Sequence, residues 1–153
     1  MRVNDENVCE INFLAVSENE AFARMAATAF VMPGNPTLEE VSDIKTAISE
    51  AVTNAILHGY NQDGVGMVHM RCERVKGEFT FIVSDDGVGI DNVEQAMEPL
   101  YTSKPELERS GMGFSFMEAF MDTLSVESKL GKGTKVIMTK RLGTDVAASS
   151  SDE

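Results

Sequence analysis

The chain has 153 residues, 42% of them hydrophobic and 25% charged, which is the size and composition of one ordinary globular domain. A net charge of −12 argues against direct binding of DNA or RNA, because nucleic-acid-binding proteins present lysine and arginine clusters to the phosphates. No apolar run approaches the ~20 residues of a membrane span, and the opening MRVNDENVCE lacks the layout of a signal peptide. We therefore expect a cytoplasmic protein that does not contact the membrane, with one domain over residues 1–143 and a disordered acidic tail over residues 144–153.

The first predicted elements are a strand and a helix. Residues 8–16 are apolar with some alternation, which indicates a strand. Ser17, followed three residues later by Glu20, has the pattern of a capping box and predicts that a helix begins there. Helical spacing assigns to its inner face Ala21, Phe22, Met25, Ala26, Ala29 and Phe30. The two cysteines, Cys9 and Cys72, lie in strand-like runs without metal or disulfide spacing, so we expect two buried thiols.

A second capping box, formed by Thr37 and Glu40, predicts a second helix that runs to about His58 and is stopped by Gly59. The remaining pattern predicts, in chain order, strands over 67–75 and 78–84, a short helix over 92–97, a loop over 99–113, a helix over 114–121, and strands over 124–129 and 134–141. Hairpins imply antiparallel neighbours, and amphipathic helices cover a sheet on one face. We expect an α/β two-layer sandwich with a mixed, largely antiparallel sheet covered on one face by helices.

Three stretches carry side chains that packing alone does not require. Glu50 and Asn54 lie one turn apart on the second helix, outside its apolar arc, although an isolated pair of this kind is usually only solvated. Asp85 ends a strand and begins DDGVG, where it could accept hydrogen bonds from an exocyclic amine. Gly87 and Gly89 in that stretch allow a sharp turn and the close approach of a flat ligand, although such residues are also ordinary in turns.

The third stretch is SGMG, which runs directly into a predicted helix. A helix N-terminus presents free N–H groups and a partial positive charge, which favour anion binding, although the same pattern also fits an ordinary capped helix start and a single GxG is weak evidence. Lys104 and Arg109 lie just upstream and could add positive charge. The residues of this predicted phosphate contact are Ser110, Gly111, Met112 and Gly113.

Taken in order, ExxxN on a helix, DxGxG, GMG and GKGT resemble the Bergerat-type ATP-binding fold shared by gyrase, heat-shock chaperones, histidine kinases and mismatch-repair ATPases. Longer stretches, SENEAFAR, SEAVTNAILHGY, DDGVGI, TSKPELERSGMGF and FMDTLSVES, are similar to the anti-sigma-F factors of spore-forming bacteria. This resemblance extends from about residue 8 to residue 141. It implies one ATP-binding kinase domain.

The resemblance also implies roles for single residues. Glu50 would be the general base and Asn54 the Mg²⁺ ligand, while Asp85, supported by Thr134, would bind the adenine amino group. Backbone at Gly87, Gly89, Gly111 and Gly113 would close around ATP or ADP under a lid over residues 100–113, in which Lys104 and Arg109 would contact phosphate. Arg24 would contact protein partners.

The implied function is that of an anti-sigma factor and serine kinase. It would inhibit sigma factor F and phosphorylate the anti-anti-sigma protein on serine, acting as a homodimer. Three alternatives stay open, namely a general-stress anti-sigma kinase, an ATP-tuned sigma-binding module without kinase activity, and a fragment of a sensor kinase. The last is disfavoured because the only histidines, His58 and His69, do not lie on an upstream acceptor helix.

Overall fold

Five strands form a single sheet in which every neighbouring pair is antiparallel. The computed structural model describes residues 6–61, 63–98 and 113–143. The strands are β1 (Glu6–Leu14), β2 (Met67–Val75), β3 (Glu78–Asp85), β4 (Thr123–Lys129) and β5 (Gly133–Arg141). Their order is β1-β2-β3-β5-β4, so β1 and β4 are the edges. The sequence predicted a mixed, largely antiparallel sheet; its antiparallel character is confirmed, but it is not mixed, because all four described strand pairs are antiparallel.

The helices lie on one face of this sheet. They are α1 (Glu18–Val31), α2 (Leu38–Asn54), α3 (Val93–Ala96) and α4 (Gly113–Phe120), with a 3₁₀ turn over Met32–Gly34 and a π-helical turn over Ala55–Gly59. Helix α2 packs between α1 and α4. Along β2 and β3 buried residues alternate with half-exposed ones, as expected when only one sheet face is covered. The predicted two-layer sandwich is therefore confirmed.

The capping box at the start of α2 forms as predicted. The Thr37 hydroxyl accepts from the backbone N–H of Glu40 at 3.0 Å, and the Glu40 carboxylate accepts from the backbone N–H of Thr37 at 2.8 Å. The second oxygen of Glu40 accepts from the backbone N–H of Gly143 at 2.7 Å. This contact ties the segment after β5 to α2, and it holds Leu142 in a fully buried position.

Two expectations for α1 are wrong. Ser17 has helical φ and ψ and its hydroxyl makes no capping bond, so the predicted capping box does not form. The buried residues are Ala23, Ala27, Phe30 and Val31, whereas Phe22 and Met25 are 61% and 57% exposed. Because residues 21–31 are apolar except for Arg24 and Thr28, spacing does not distinguish the two faces of α1. The buried positions include the small residues Ala23 and Ala27, and α1 packs on α2; the distance at which two helices pack depends on the side chains at their contact.

The cysteine prediction holds for only one of the two thiols. Cys9 and Cys72 lie opposite each other on β1 and β2. Cys72 is buried but Cys9 is exposed, because β1 is an edge strand and the helices do not cover it there. Burial raises the pKa of the Cys72 thiol to about 12.

Among the described residues, no helix combines the length and apolar character needed to cross a bilayer.

Candidate functional site

A polar row crosses three strands at one end of the helix-covered face. Asp85 on β3 lies opposite Thr134 on β5, which lies opposite Ser128 on β4. Asp85 and Thr134 are each only 6% exposed, while Ser128 is half-buried. The positions that precede this row on the same face of β3 are apolar and buried. The sheet thus ends in a sheltered set of hydrogen-bonding groups above an apolar floor.

The Asp85 carboxylate is held by backbone donors. It accepts from the N–H of Gly87 at 2.9 Å and from the N–H of Thr134. Burial raises the pKa of Asp85 above its ordinary value, the two hydrogen bonds oppose that rise, and the neighbouring Asp86 adds to it. A carboxylate has about four acceptor positions. Two backbone donors therefore leave Asp85 able to accept from a ligand.

Glycines around this carboxylate are required by backbone packing. A Cβ added to Gly87 would lie 2.0 Å from the carbonyl oxygen of Gly59, and one added to Gly133 would lie 2.0 Å from the carbonyl oxygen of Asp85. Gly89, with φ of 76°, would place a Cβ 2.1 Å from the carbonyl oxygen of Lys129. The sequence suggested that Gly87 and Gly89 serve the approach of a ligand. In the structure they allow three backbone segments to touch one another.

The loop after β3 is bonded on both sides. Its Val88 donates an N–H to the carbonyl of Gly59 at 2.9 Å and accepts from the N–H of Gly131 at 2.7 Å. The N–H of Ile90 donates to the Ser128 hydroxyl at 2.7 Å. The end of the α2 segment and the β4–β5 hairpin therefore clamp the DDGVG loop between them.

Helix α2 carries the other predicted residues. Glu50 and Asn54 are half-buried, one turn apart, and lie outside the buried stripe of Ile44, Ile48, Ala51, Val52 and Ala55. Directly after Asn54 the helix widens into a π turn, in which the N–H of Tyr60 donates to the carbonyl of Ala55 at 3.0 Å. Such turns are frequent at functional sites. The predicted continuation of the helix to His58 is therefore π-helical.

Gly59 belongs to the site, although the sequence indicated only a helix stop. The left-handed residue after the helix is Asn61, with φ of 52°. A Cβ on Gly59 would lie 2.8 Å from the carboxylate of Asp85, so glycine is needed for the helix end to reach that carboxylate. Nothing in the spacing of Gly59 pointed to this contact.

Tyr60 also fixes the site and was not predicted to do so. Its hydroxyl donates to the carbonyl of Met67 at 2.6 Å and accepts from the N–H of Asp86 at 2.7 Å. Burial raises the pKa of Tyr60 above its ordinary value. The neutral tyrosine hydroxyl is both a donor and an acceptor, and with these two bonds it holds the backbone beside Asp85.

The remaining predicted residues divide into two groups. Gly113 begins α4, as the SGMG pattern predicted, and α4 packs on α2. The lid residues lie outside the described part of the chain, and these are Lys104, Arg109, Ser110, Gly111 and Met112.

Arg24 lies on α1, with a side chain that is 38% exposed. It contacts the Glu20 carboxylate at 3.3 Å and the Ser49 hydroxyl at 3.5 Å. Ser49 directly precedes Glu50, so the predicted partner-binding arginine lies beside the helix that carries the predicted base.

Known proteins are similar to this chain over most of its length. Residues 14–140 match the family described as Histidine kinase-like ATPase domain. The chain is 55% identical over 136 residues to the anti-sigma F factor of Clostridium beijerinckii, a match that covers 89% of this chain and 95% of the relative. It is 57% identical to that of Clostridium acetobutylicum, covering 89% and 94%, and 55% identical to that of Clostridium perfringens, covering 91% and 99%.

Among solved structures, the RsbU and RsbW domains of Rv1364c from Mycobacterium tuberculosis share the fold, with a TM-score of 0.63 and 20% identity. That match covers 89% of this chain and 32% of the solved chain. At this level of identity the similarity supports the architecture only. The sequence matches, which span nearly the whole length of the relatives, show that the chain belongs to the anti-sigma F factor family, within the histidine kinase-like ATPases.

Proposed function

We propose that the chain is a cytoplasmic anti-sigma factor that binds and inhibits sigma factor F. We further propose that it uses ATP to phosphorylate a serine of the antagonist, the anti-anti-sigma protein, and so inactivates it. The observation that supports this most is the junction between Gly59 and Val88. It joins the helix of Glu50 and Asn54 to the loop of Asp85, so the proposed base and the proposed adenine site form one connected structure.

The residues present fit an adenine nucleotide. Asp85 is a sheltered acceptor suited to the exocyclic amino group, and Thr134 lies opposite it. Among the described residues no cluster of three His, Cys, Asp or Glu side chains could hold a metal ion. Asn54 would supply one oxygen ligand, since Mg²⁺ commonly takes its other ligands from nucleotide phosphates and water. When bound, ATP would supply its γ-phosphoryl group, whose bond to ADP breaks as the bond to the serine oxygen forms, and Mg²⁺ would neutralise phosphate charge.

The chain's own contribution is positioning and proton transfer, as in other phosphoryl transfers. Glu50 accepts the proton of the incoming serine hydroxyl as that oxygen is phosphorylated. Gly87 and Gly89 let the loop beside Asp85 pack against neighbouring backbone, and Gly113 begins α4. We propose phosphate contacts for five residues that lie outside the described part of the chain, namely Lys104, Arg109, Ser110, Gly111 and Met112.

Glu50→Gln separates the kinase from a module that only binds. A glutamine keeps the size of the side chain but accepts no proton at neutral pH, so phosphorylation of the antagonist should fall by at least about a hundredfold, while ADP affinity stays within twofold. Labelled ATP with Mg²⁺ and the antagonist measures the first, and calorimetry the second. Glu39→Gln, on the exposed first turn of the same helix, is the matched control. Normal phosphorylation by Glu50→Gln would show that the base is assigned to the wrong residue.

Arg24→Glu tests the proposed contact with both partners. Reversing this half-exposed charge should weaken binding of the sigma factor and of the antagonist at least tenfold, about 1.4 kcal/mol, and should leave ADP affinity unchanged. Lys76→Glu, in the exposed β2–β3 turn at the far end of β3 from Asp85, makes the same charge reversal as a control. Unaltered partner affinity in Arg24→Glu would remove this residue from the interface.

We infer that two copies form a homodimer. The edge strand β1 is exposed along most of its length, including Val8 and Leu14, and an exposed edge is a template for pairing. Phe22 and Met25 add apolar surface nearby in the chain, on the outer face of α1. Sedimentation equilibrium measures the mass, and a monomer at concentrations of tens of micromolar contradicts the inference.

A further inference from the structure

Ser128 makes three hydrogen bonds that join separate parts of the site. Its hydroxyl accepts from the N–H of Ile90 at 2.7 Å, contacts the carbonyl of Gly133 at 2.9 Å, and lies 2.8 Å from the hydroxyl of Thr134. Two of these partners are backbone groups whose direction is fixed, because an N–H only donates and a carbonyl only accepts. The third partner, Thr134, has a hydroxyl that could do either.

The count of donors and lone pairs decides the direction of the third bond. A serine hydroxyl has one proton and two lone pairs. The carbonyl of Gly133 takes the proton, and the N–H of Ile90 occupies one lone pair. Only the second lone pair is left for Thr134, so Thr134 must donate its proton to Ser128. The oxygen of Thr134 then offers only lone pairs to anything bound in the pocket.

The neighbouring Asp85 is also an acceptor, and its carboxylate is already oriented by the N–H groups of Gly87 and Thr134. The two most buried polar side chains of the row therefore present acceptors on the same side of the sheet. Such a pair favours a ligand group with protons to donate and disfavours one that carries an oxygen in its place, because a buried acceptor facing another acceptor is left unsatisfied.

We propose that Ser128 is a positioning residue for base selection. By receiving the Thr134 proton it keeps Thr134 an acceptor, and so favours a purine with an amino group at position six over one with a carbonyl there. This inference rests on the proposed nucleotide function. Ser128 itself acts through Thr134 and through the Ile90 loop.

The test compares two nucleotides that differ at this position. Dissociation constants of the full-length protein for ADP and for inosine 5′-diphosphate are measured by calorimetry with Mg²⁺. Wild type should prefer ADP at least about tenfold. In Ser128→Ala the Thr134 hydroxyl is free to rotate and donate to the carbonyl of inosine, so the preference should fall about fivefold or more. Ser128→Thr keeps the hydroxyl and should restore the preference to within twofold of wild type.

A merely structural role would give another result. If Ser128 only stabilised the loop, Ser128→Ala would lower the affinities for ADP and for inosine diphosphate by the same factor. Their ratio would then be unchanged, and this result would overturn the proposal. Should Ser128→Ala not fold, Thr134→Val decides. Thr134→Val should lower the affinity for ADP about tenfold and leave the affinity for inosine diphosphate unchanged. An equal loss of affinity for both nucleotides overturns the proposal. A wild type without preference also overturns it, and a wild type that binds no ADP refutes the proposed function itself.

Discussion

The contact between Gly59 and Asp85 can be tested by adding a single methyl group. In Gly59→Ala the new Cβ would lie 2.8 Å from one carboxylate oxygen of Asp85 and 2.9 Å from its carboxyl carbon. Gly59 has no positive φ, so alanine meets no backbone strain there. The perturbation is therefore steric and is directed at one carboxylate.

The expected effects on folding and on binding differ in size. Overpacking typically destabilises by about 1–3 kcal/mol, and replacing a helical glycine by alanine returns about 1 kcal/mol. The net loss of roughly 0–2 kcal/mol is small against the 5–15 kcal/mol of a typical domain, so the variant should fold. The carboxylate must retreat by about half an ångström to reach ordinary contact. That movement disturbs its bonds from Gly87 and Thr134 and displaces the acceptor proposed for adenine.

ADP affinity should therefore fall by roughly 10- to 100-fold, the range expected when a hydrogen bond to a charged group is lost, while Tm falls by no more than a few degrees. Calorimetric titration measures the first and differential scanning calorimetry the second. Gly143→Ala is the matched control, because its Cβ would meet only the Glu40 carboxylate, at 3.6 Å. A folded Gly59→Ala protein that binds ADP within twofold of wild type would refute the reasoning.

Two further predictions concern stability. Gly133 and Gly131 both have positive φ, but only a Cβ at Gly133 meets backbone, so Gly133→Ala should be about 1–3 kcal/mol less stable than Gly131→Ala in urea denaturation; equal midpoints would contradict the clash. Burial raises the folded pKa of Asp85 above 3.8, so the stability that this carboxyl contributes is present at lower pH and is lost as pH rises through the folded value. The difference in Tm between nucleotide-free Asp85→Asn and wild type should therefore shift in favour of the variant as pH rises from 4 to 8. A difference that stays constant over this range would disprove the prediction.

Elements whose signals are local could be predicted from the sequence. The β2–β3 hairpin turns at Lys76 and Gly77, which both have positive φ, as the Lys-Gly pair indicated. Thr37 caps α2 because an extended backbone precedes the helix there. Ser17 has the same pattern but enters α1 through a tight turn after β1, in which the Asn19 side chain donates to the carbonyl of Leu14 at 3.0 Å. The Ser17 backbone is already helical, so its hydroxyl cannot cap.

The residues of the site also fall into two groups, those with a local sequence signal and those whose contacts are distant in the chain. Glu50 and Asn54 stand out on one helix, because their spacing within α2 is itself the signal. The partners of the DDGVG loop are distant in the chain, since Ile90 and Ser128 are 38 positions apart. A serine in an alternating strand carries no mark of such a contact. The contacts of Gly59 and Tyr60 could not be predicted for the same reason, because they depend on how the end of α2 packs against the end of β3.

The register of β5 against β3 places Thr134 opposite Asp85, and Gly133 explains why that register is held. Only glycine fits at the start of β5, because a Cβ at position 133 would lie 2.0 Å from the carbonyl oxygen of Asp85. A slip of one residue would bring the bulk of Lys132 or Thr134 to that point and would turn every β5 side chain to the other face of the sheet. The second glycine of GKGT therefore specifies the alignment of the polar row, although it contributes no polar side chain to it. The steric requirement at Gly133 thus helps to fix Thr134 opposite Asp85, across a separation in the chain that no local pattern spans.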